Sequence, residues 1–322
     1  MTPGLTLSKL ASRLIFLGLW LCCAIGLIIV TWKFIVPMNF RDPDDALRLV
    51  QVRDLMAGQS WFDLTQHRIY PPDGVPMHWS RLVDLPIILM LWPLKALLGQ
   101  PLAERIVLVA VPLLSLLITA FFLYRTARAL ALSRILALMV VAMLLSAVSI
   151  LVQYAPVRID HHASQIVYGS AALWALVSAG RNNGRRGLIA GIAFACWLQI
   201  SAEGLPYAVV AGGIFGLHHI LHRDRWADFR AYMLTLPIAA TILLFATRYP
   251  SDAILPWCDS FSPAYLIPLW LTSLLLLAGQ RFMPCTTPVY RALPLIIAGV
   301  AGAATFILRS RDCLAGPFET LD

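Results

Sequence analysis

The chain has 322 residues, 59% of them hydrophobic and only 13% charged, with a mean hydropathy of +0.76. A soluble domain carries about 25% charged residues. Here the apolar residues fall in long runs rather than at a period of two or 3.6, which excludes an ordinary soluble enzyme and points to an all-α, polytopic transmembrane helix bundle. The net charge of +8 rests mostly on arginines in short loops between apolar runs, where positive charge sets topology. Nucleic acid is therefore not the partner it implies. The six cysteines show no CxxC pair and no zinc spacing.

A first apolar run over 14–36 is too long for a signal-peptide core and lacks a small-residue cleavage site. Lys9 and Arg13 before it place the N-terminus in the cytoplasm. Residues 37–84 then form a long external first loop. It holds seven of the chain's 17 acidic residues, with His67 and His78. Pro43-Asp44 starts a short helix whose apolar positions Ala46, Leu47, Val50 and Leu55 end near Gly58. Tyr70-Pro71-Pro72-Asp73-Gly74 is turn chemistry.

Residues 85–99 are apolar but cover only about 22 Å as a helix, short of a ~30 Å hydrocarbon core. Parity decides their place. If they crossed, Arg125, Arg128, Arg134, the basic cluster 181–186, and Arg223, Arg225 and Arg230 would all lie outside. If they lie along the outer surface, all of these lie inside, and the positive-inside rule selects that arrangement. The remaining spans are expected over 104–124, 134–152, 163–179, 188–202, 205–221, 231–247, 264–279 and 292–308, about nine in all with the first. This topology puts Cys258 and Cys313 in external loops, open to a disulfide if their Cα atoms lie within ~7 Å, and Cys285 inside.

Several ionisable groups gather on the outer side: the first loop, Arg158-Ile159-Asp160-His161-His162, Glu203, and the loop 249–263 with Asp252 and Asp259. Such groups beside apolar segments are costly, so they tend to be paired or functional. An acidic cluster such as Asp42, Asp44 and Asp45 is most often a solvated face, and Glu203 has the position of a helix cap. Asp160 and His162 are harder to dismiss, because an Asp and a His two apart can ligate one divalent cation. His218, His219 and His222 read as an interface cluster. No phosphate loop, nucleophile elbow or HExxH helix occurs.

At these residues the chain resembles the catalytic subunit of oligosaccharyltransferase, within the C-type (GT-C) integral membrane glycosyltransferases, over roughly residues 11–221. Asp42-Pro43-Asp44-Asp45-Ala46-Leu47-Arg48 resembles the family's Asp-Pro-x-x-x-x-Arg opening of the first external loop. Tyr70-Pro71-Pro72-Asp73-Gly74 resembles its Tyr-Pro-x-Gly element. Asp160-His161-His162 resembles its second motif, Asp-x-His in the archaeal form, and residues 85–99 match its juxtamembrane helix.

The resemblance implies sugar transfer from a polyprenyl-phosphate or polyprenyl-diphosphate donor to an external acceptor. It implies Asp42, Asp160 and His162 as ligands of Mg2+ or Mn2+; with Asp42, the outer carboxylates of Asp44, Asp45 and Glu203 are the candidates for catalysis. Arg41, Arg48, Arg81 and Arg158 would face the donor phosphate. It further implies membrane lipid as a partner and a bacterial inner membrane with the active face periplasmic. Two departures stand out. A later external loop with a catalytic Glu is not identifiable, and the soluble C-terminal domain with its Trp-Trp-Asp motif does not occur in this sequence. A smaller glycosyltransferase and a truncated, inactive relative are both compatible with that. The other reading is a lipid-linked sugar flippase or transporter, which would line its centre with polar residues on several helices.

Overall fold

The computed structural model describes residues 7–178, 183–283 and 286–315. They are almost entirely helical and divide into two compact units. The first comprises Met1–Ser60 and Val83–Ala179, the second Trp61–Leu82 and Gly180–Asp322.

The first unit contains α1 (Lys9–Ile35), α2 (Pro43–Met56), nearly all of α3 (Arg81–Leu98), α4 (Gln100–Ala129), α5 (Arg134–Leu144), α6 (Val148–Leu151) and α7 (His162–Val177). Local chemistry sets the starts. Ser8 caps α1 by accepting the Ala11 N–H, and Ser133 caps α5 by accepting that of Leu136. Asp42 caps α2 by accepting the Asp44 N–H, with Pro43 in the first helical turn. Gly99, at φ +76°, separates α3 from α4, a left-handed position that a side chain would strain.

Helix α3 begins at Arg81, four residues before the apolar run expected from 85. Its residues Val83, Ile87 and Leu91 are buried at a spacing of four. Ile87 and Leu91 pack with Leu49 and Val52 of α2, Ala103, Val107 and Leu108 of α4, and Ile159. Within this core Arg48 of α2 donates to Asp84 of α3 at 2.9 Å, and both side chains are fully buried. The short loop helix is thus anchored by packing and by an ion pair. A second core joins Leu116 and Ala120 of α4, Val141 and Leu144 of α5, Tyr154 and Ala163.

The second unit opens with a hairpin of β1 (Thr65–Gln66) and β2 (Val75–Pro76), antiparallel, with Thr65 opposite Pro76. The turn expected at 70–74 closes it. Then follow α8 (Arg185–Ile200), α9 (Leu205–Leu221), α10 (Trp226–Thr247), α11 (Pro250–Ala253), α12 (Pro263–Phe282), α13 (Pro288–Arg309) and the single turn α14 (Asp312–Ala315). Helices α8 and α10 approach at Gly187 and Gly191, where an added Cβ would meet Asp228 O at 1.8 Å and Thr235 Cβ at 2.8 Å. This small-xxx-small spacing lets two membrane helices touch backbone to backbone. Cys258 and Cys313 form the disulfide considered above, with Cα atoms 5.0 Å apart. Cys285, Arg181 and Asn182 lie outside the described residues.

Six helices among the described residues are long and apolar enough to cross a membrane: α1, α4, α12, α13, and α9 and α10 with their preceding turns. Helices α5 and α6, bent by 66°, make a seventh if counted as one broken span. The difference from nine lies in α7 and α8. Each has 16 residues, about 24 Å of helix, which is short for a ~30 Å core. Helix α3 is not among the spanning candidates. The architecture is an all-α polytopic membrane bundle.

Candidate functional site

The start of α2 and the segment before α7 meet in the first unit. That segment is fixed from below and from the side. The Val157 N–H donates to Leu108 O of α4 at 2.8 Å. The Asp45 Oδ1 accepts the N–H groups of Ile159 and Asp160, each at 2.8 Å. Val157 itself sits at φ +74°, a strained conformation for a β-branched residue that costs about 1–3 kcal/mol and is held only by such surroundings.

Arg158 occupies the centre. Its Nη1 lies 2.6 Å from Asp42 Oδ2 and 3.4 Å from Asp45 Oδ2, its Nη2 lies 3.8 Å from Asp160 Oδ2, and its Nε donates to Gln153 Oε1 at 3.3 Å. Asp160 is buried and accepts on both oxygens. Oδ1 takes the His161 N–H at 2.6 Å and faces His161 Nδ1 at 2.5 Å, while Oδ2 faces His162 Nδ1 at 2.6 Å. The two imidazoles stack with centroids 4.4 Å apart.

Three carboxylates share one guanidinium and two imidazoles, and their surroundings separate them. The Arg158 hydrogen bond, with that of the Asp44 N–H, holds Asp42 below the usual carboxylate range. Burial pushes Asp45 up to about 6 against the pull of Arg158. Burial also pushes Asp160 upward, but the hydrogen bonds from His161 and His162 outweigh it and keep this carboxyl well below its usual range.

Asp160, His161 and His162 can each offer one ligand atom within 4.8 Å of the others, the donor set of a divalent cation. One carboxylate oxygen and two imidazole nitrogens suit a borderline metal better than Mg2+. Asp42 falls outside this group and pairs instead with Arg158. His161 was passed over in the sequence, although it stands between the two residues singled out there.

The other expected residues lie as follows. Asp44 is half-buried in the first turn of α2. Arg41 is exposed, its guanidinium 4.9 Å over the Phe34 ring. Arg48 and Arg81, expected at a phosphate, lie in the interior. Both are wholly buried. Arg48 pairs with Asp84, and Arg81 donates to the carbonyls of Trp61 and Asp63 at 3.0 and 2.5 Å. Glu203 belongs to the second unit, exposed, with its N–H donating to the Ser201 hydroxyl at 3.2 Å.

The second unit has a polar cleft of its own. The β1–β2 hairpin and the loop after α10 enclose about 630 Å³ lined by His78, Arg248, Tyr249, Trp257 and Asp259 among others. His78 Nδ1 lies 3.4 Å from Asp259 Oδ2, and Arg248 donates to His78 O at 3.2 Å.

Fold and site together define a polytopic membrane helix bundle carrying a carboxylate–arginine–histidine cluster in its first unit. Among solved structures the chain is similar to the archaeal oligosaccharyltransferase AglB from Archaeoglobus fulgidus, in complex with an inhibitory peptide and a dolichol-phosphate. The TM-score is 0.52 at 13% identity, over 95% of this chain. The chain spans about a third of that protein's length, 34%. The likeness is one of fold. No protein family matches the sequence, and no curated protein does.

Proposed function

We propose that the protein is a GT-C-type glycosyltransferase that takes a sugar from a polyprenyl-phosphate or polyprenyl-diphosphate donor and passes it to an acceptor outside the membrane. One observation carries this reading. Arg158 draws Asp42 and Asp160, far apart in the first unit's sequence, to one place, in a fold similar to that of an oligosaccharyltransferase in complex with a dolichol-phosphate. Arg158 and the exposed Arg41 are the cations for the donor phosphate.

Asp42, held ionised, orients the acceptor by accepting its proton-bearing group and favours the cationic transition state at the anomeric carbon electrostatically. Asp45 is a positioning residue: it fixes the backbone that presents Asp160. Asp160 orients His161 and His162. These three residues would hold the divalent cation, Mn2+ in preference to Mg2+, with Asp42 as a further ligand if it exchanges Arg158 for the metal. Such an ion supplies Lewis-acid stabilisation of the leaving phosphate. The reading includes Asp44 as a further carboxylate on the acceptor side and α3 as a helix along the outer surface. It places the N-terminus in the cytoplasm and the site in the periplasm of a bacterial inner membrane. The Cys258–Cys313 disulfide supports an oxidising compartment for the loops that carry it.

The test is transfer of a labelled sugar from a polyprenyl-phosphate donor by the purified protein in detergent, before and after chelation and Mn2+ addition. Metal-dependent transfer supports the reading. In detergent a flippase has nothing to transport across, so a flippase gives no product under any metal condition.

A further inference from the structure

Helix α4 connects the candidate site to a second cavity at its far end. The segment bearing Asp160 is anchored at Leu108. Arg125 lies nearly five turns further along the same helix, about 25 Å away, which is the greater part of a bilayer core. There α1, α4 and α5 enclose about 360 Å³ lined by Lys9, Arg13, Arg125 and Arg134, with Phe16 and Phe121 among its apolar walls.

This cavity is built. Ser12 is buried, and its hydroxyl lies 2.8 Å from the Tyr124 hydroxyl, joining α1 to α4. Arg134 Nη1 donates to Leu7 O at 2.5 Å, joining α5 to the start of α1. Arg125 rests 5.8 Å over Phe121 and 5.1 Å over Trp174. Four cations therefore converge on one space, and none has a carboxylate partner among the described residues. The sequence holds no acidic residue before Asp42 or between Glu104 and Asp160, so α1 and α5 have none to offer. Like charges so gathered repel one another unless an anion sits among them. Leu17 of α1 lines the cavity, and the exposed Leu10 and Leu14 continue its stripe at helical spacing along α1. Basic pockets between membrane helices bind anionic headgroups.

We infer that this cavity binds the phosphate headgroup of an anionic phospholipid in the leaflet opposite the candidate catalytic site, with the acyl chains along Leu10, Leu14 and Leu17. The lipid is a resident one, distinct in place from a donor at Arg158.

The full-length protein in neutral detergent is mixed with phosphatidylglycerol, phosphatidylcholine or inorganic phosphate. Native mass spectrometry reads retained lipid, and thermal unfolding reads the midpoint. Phosphatidylglycerol should be retained and raise the midpoint, while phosphatidylcholine and inorganic phosphate should do neither. Each of Arg13→Gln and Arg125→Gln should weaken phosphatidylglycerol binding about fivefold. The corresponding lysine variants should keep most of it, and Arg281→Gln in the second unit should leave it unchanged. Equal retention of both phospholipids, or undiminished binding in the glutamine variants, overturns the inference. A midpoint raised as far by inorganic phosphate overturns it too, since the site would then take a free anion. Arg13 is exposed, so its variant decides the matter should Arg125→Gln fail to fold.

Discussion

The carboxylates of Asp42 and Asp160 share the Arg158 guanidinium, at 2.6 Å from Nη1 and 3.8 Å from Nη2. Two acids this close need a cation between them, and the protein supplies its own. Removing it in Arg158→Ala should cost about 1–3 kcal/mol of stability, less than a fully buried pair because the guanidinium is partly exposed. It should also lower sugar transfer about a hundredfold or more. Arg158→Lys restores the charge but not the planar fork, so it should recover stability better than rate. Thermal unfolding in detergent beside a transfer assay separates the two. Wild-type behaviour of Arg158→Ala in both would remove Arg158 from the site.

Arg48 and Asp84 form a buried pair with a structural task. Asp84→Ala takes the partner carboxylate from a buried guanidinium between α2 and α3 and should destabilise by about 3–5 kcal/mol. The double change Arg48→Met with Asp84→Ala removes both charges and should recover most of that loss. A double-variant midpoint no better than the single one would contradict the pairing.

Asp45 makes stability depend on pH with a definite sign. Its folded pKa is raised from 3.8 to about 6, so folding favours the protonated acid. That contribution is fully present below pH 3.8 and is lost as pH rises through about 6. Between pH 4 and 7 wild-type stability should fall by up to about 3 kcal/mol from this group alone. Asp45→Asn should flatten that window. The lowered pKa of Asp160 acts in the opposite direction and below pH 3.8, so the two do not overlap. Identical pH profiles for wild type and Asp45→Asn would contradict the assignment.

Gly187 is where α8 touches α10. A Cβ there would lie 1.8 Å from Asp228 O and 2.6 Å from Tyr232 N, backbone atoms that cannot give way. Gly187→Ala should cost about 3 kcal/mol, the upper end of overpacking. Gly213→Ala, with nothing within 4 Å of its added methyl, should be neutral or stabilising by about 1 kcal/mol. Equal midpoints for the two variants would mean that α8 and α10 are further apart.

Much of this was legible in the sequence where local chemistry decides. Pro43 and Asp44 announced α2, and Gly58 its end. Length set residues 85–99 apart from the spans. Loop sidedness put Cys258 and Cys313 on one side of the membrane and left them open to pairing. Order and sidedness also suggested that Asp42 and Asp160 converge. Partnerships were harder. Arg48, Arg81 and Arg158 look alike as loop arginines, yet one pairs with Asp84, one holds backbone carbonyls, and one bridges the site. That division depends on which surfaces meet. Helix α3 begins early because Asp84, polar by type, is buried against Arg48. The Gly187-xxx-Gly191 spacing was readable as a helix contact and was passed over.

Asp160 carries the site, since it orients both histidines and sits beside Arg158. The most direct measurement is the rate of labelled-sugar transfer from a polyprenyl-phosphate donor by purified Asp160→Ala across a Mn2+ titration, beside wild type. Wild type should be active and respond to Mn2+. The variant should stay folded, lose at least about a hundredfold in rate and show no response to the metal. Equal rates and equal Mn2+ dependence in the two proteins would contradict the assignment of this cluster as a catalytic site.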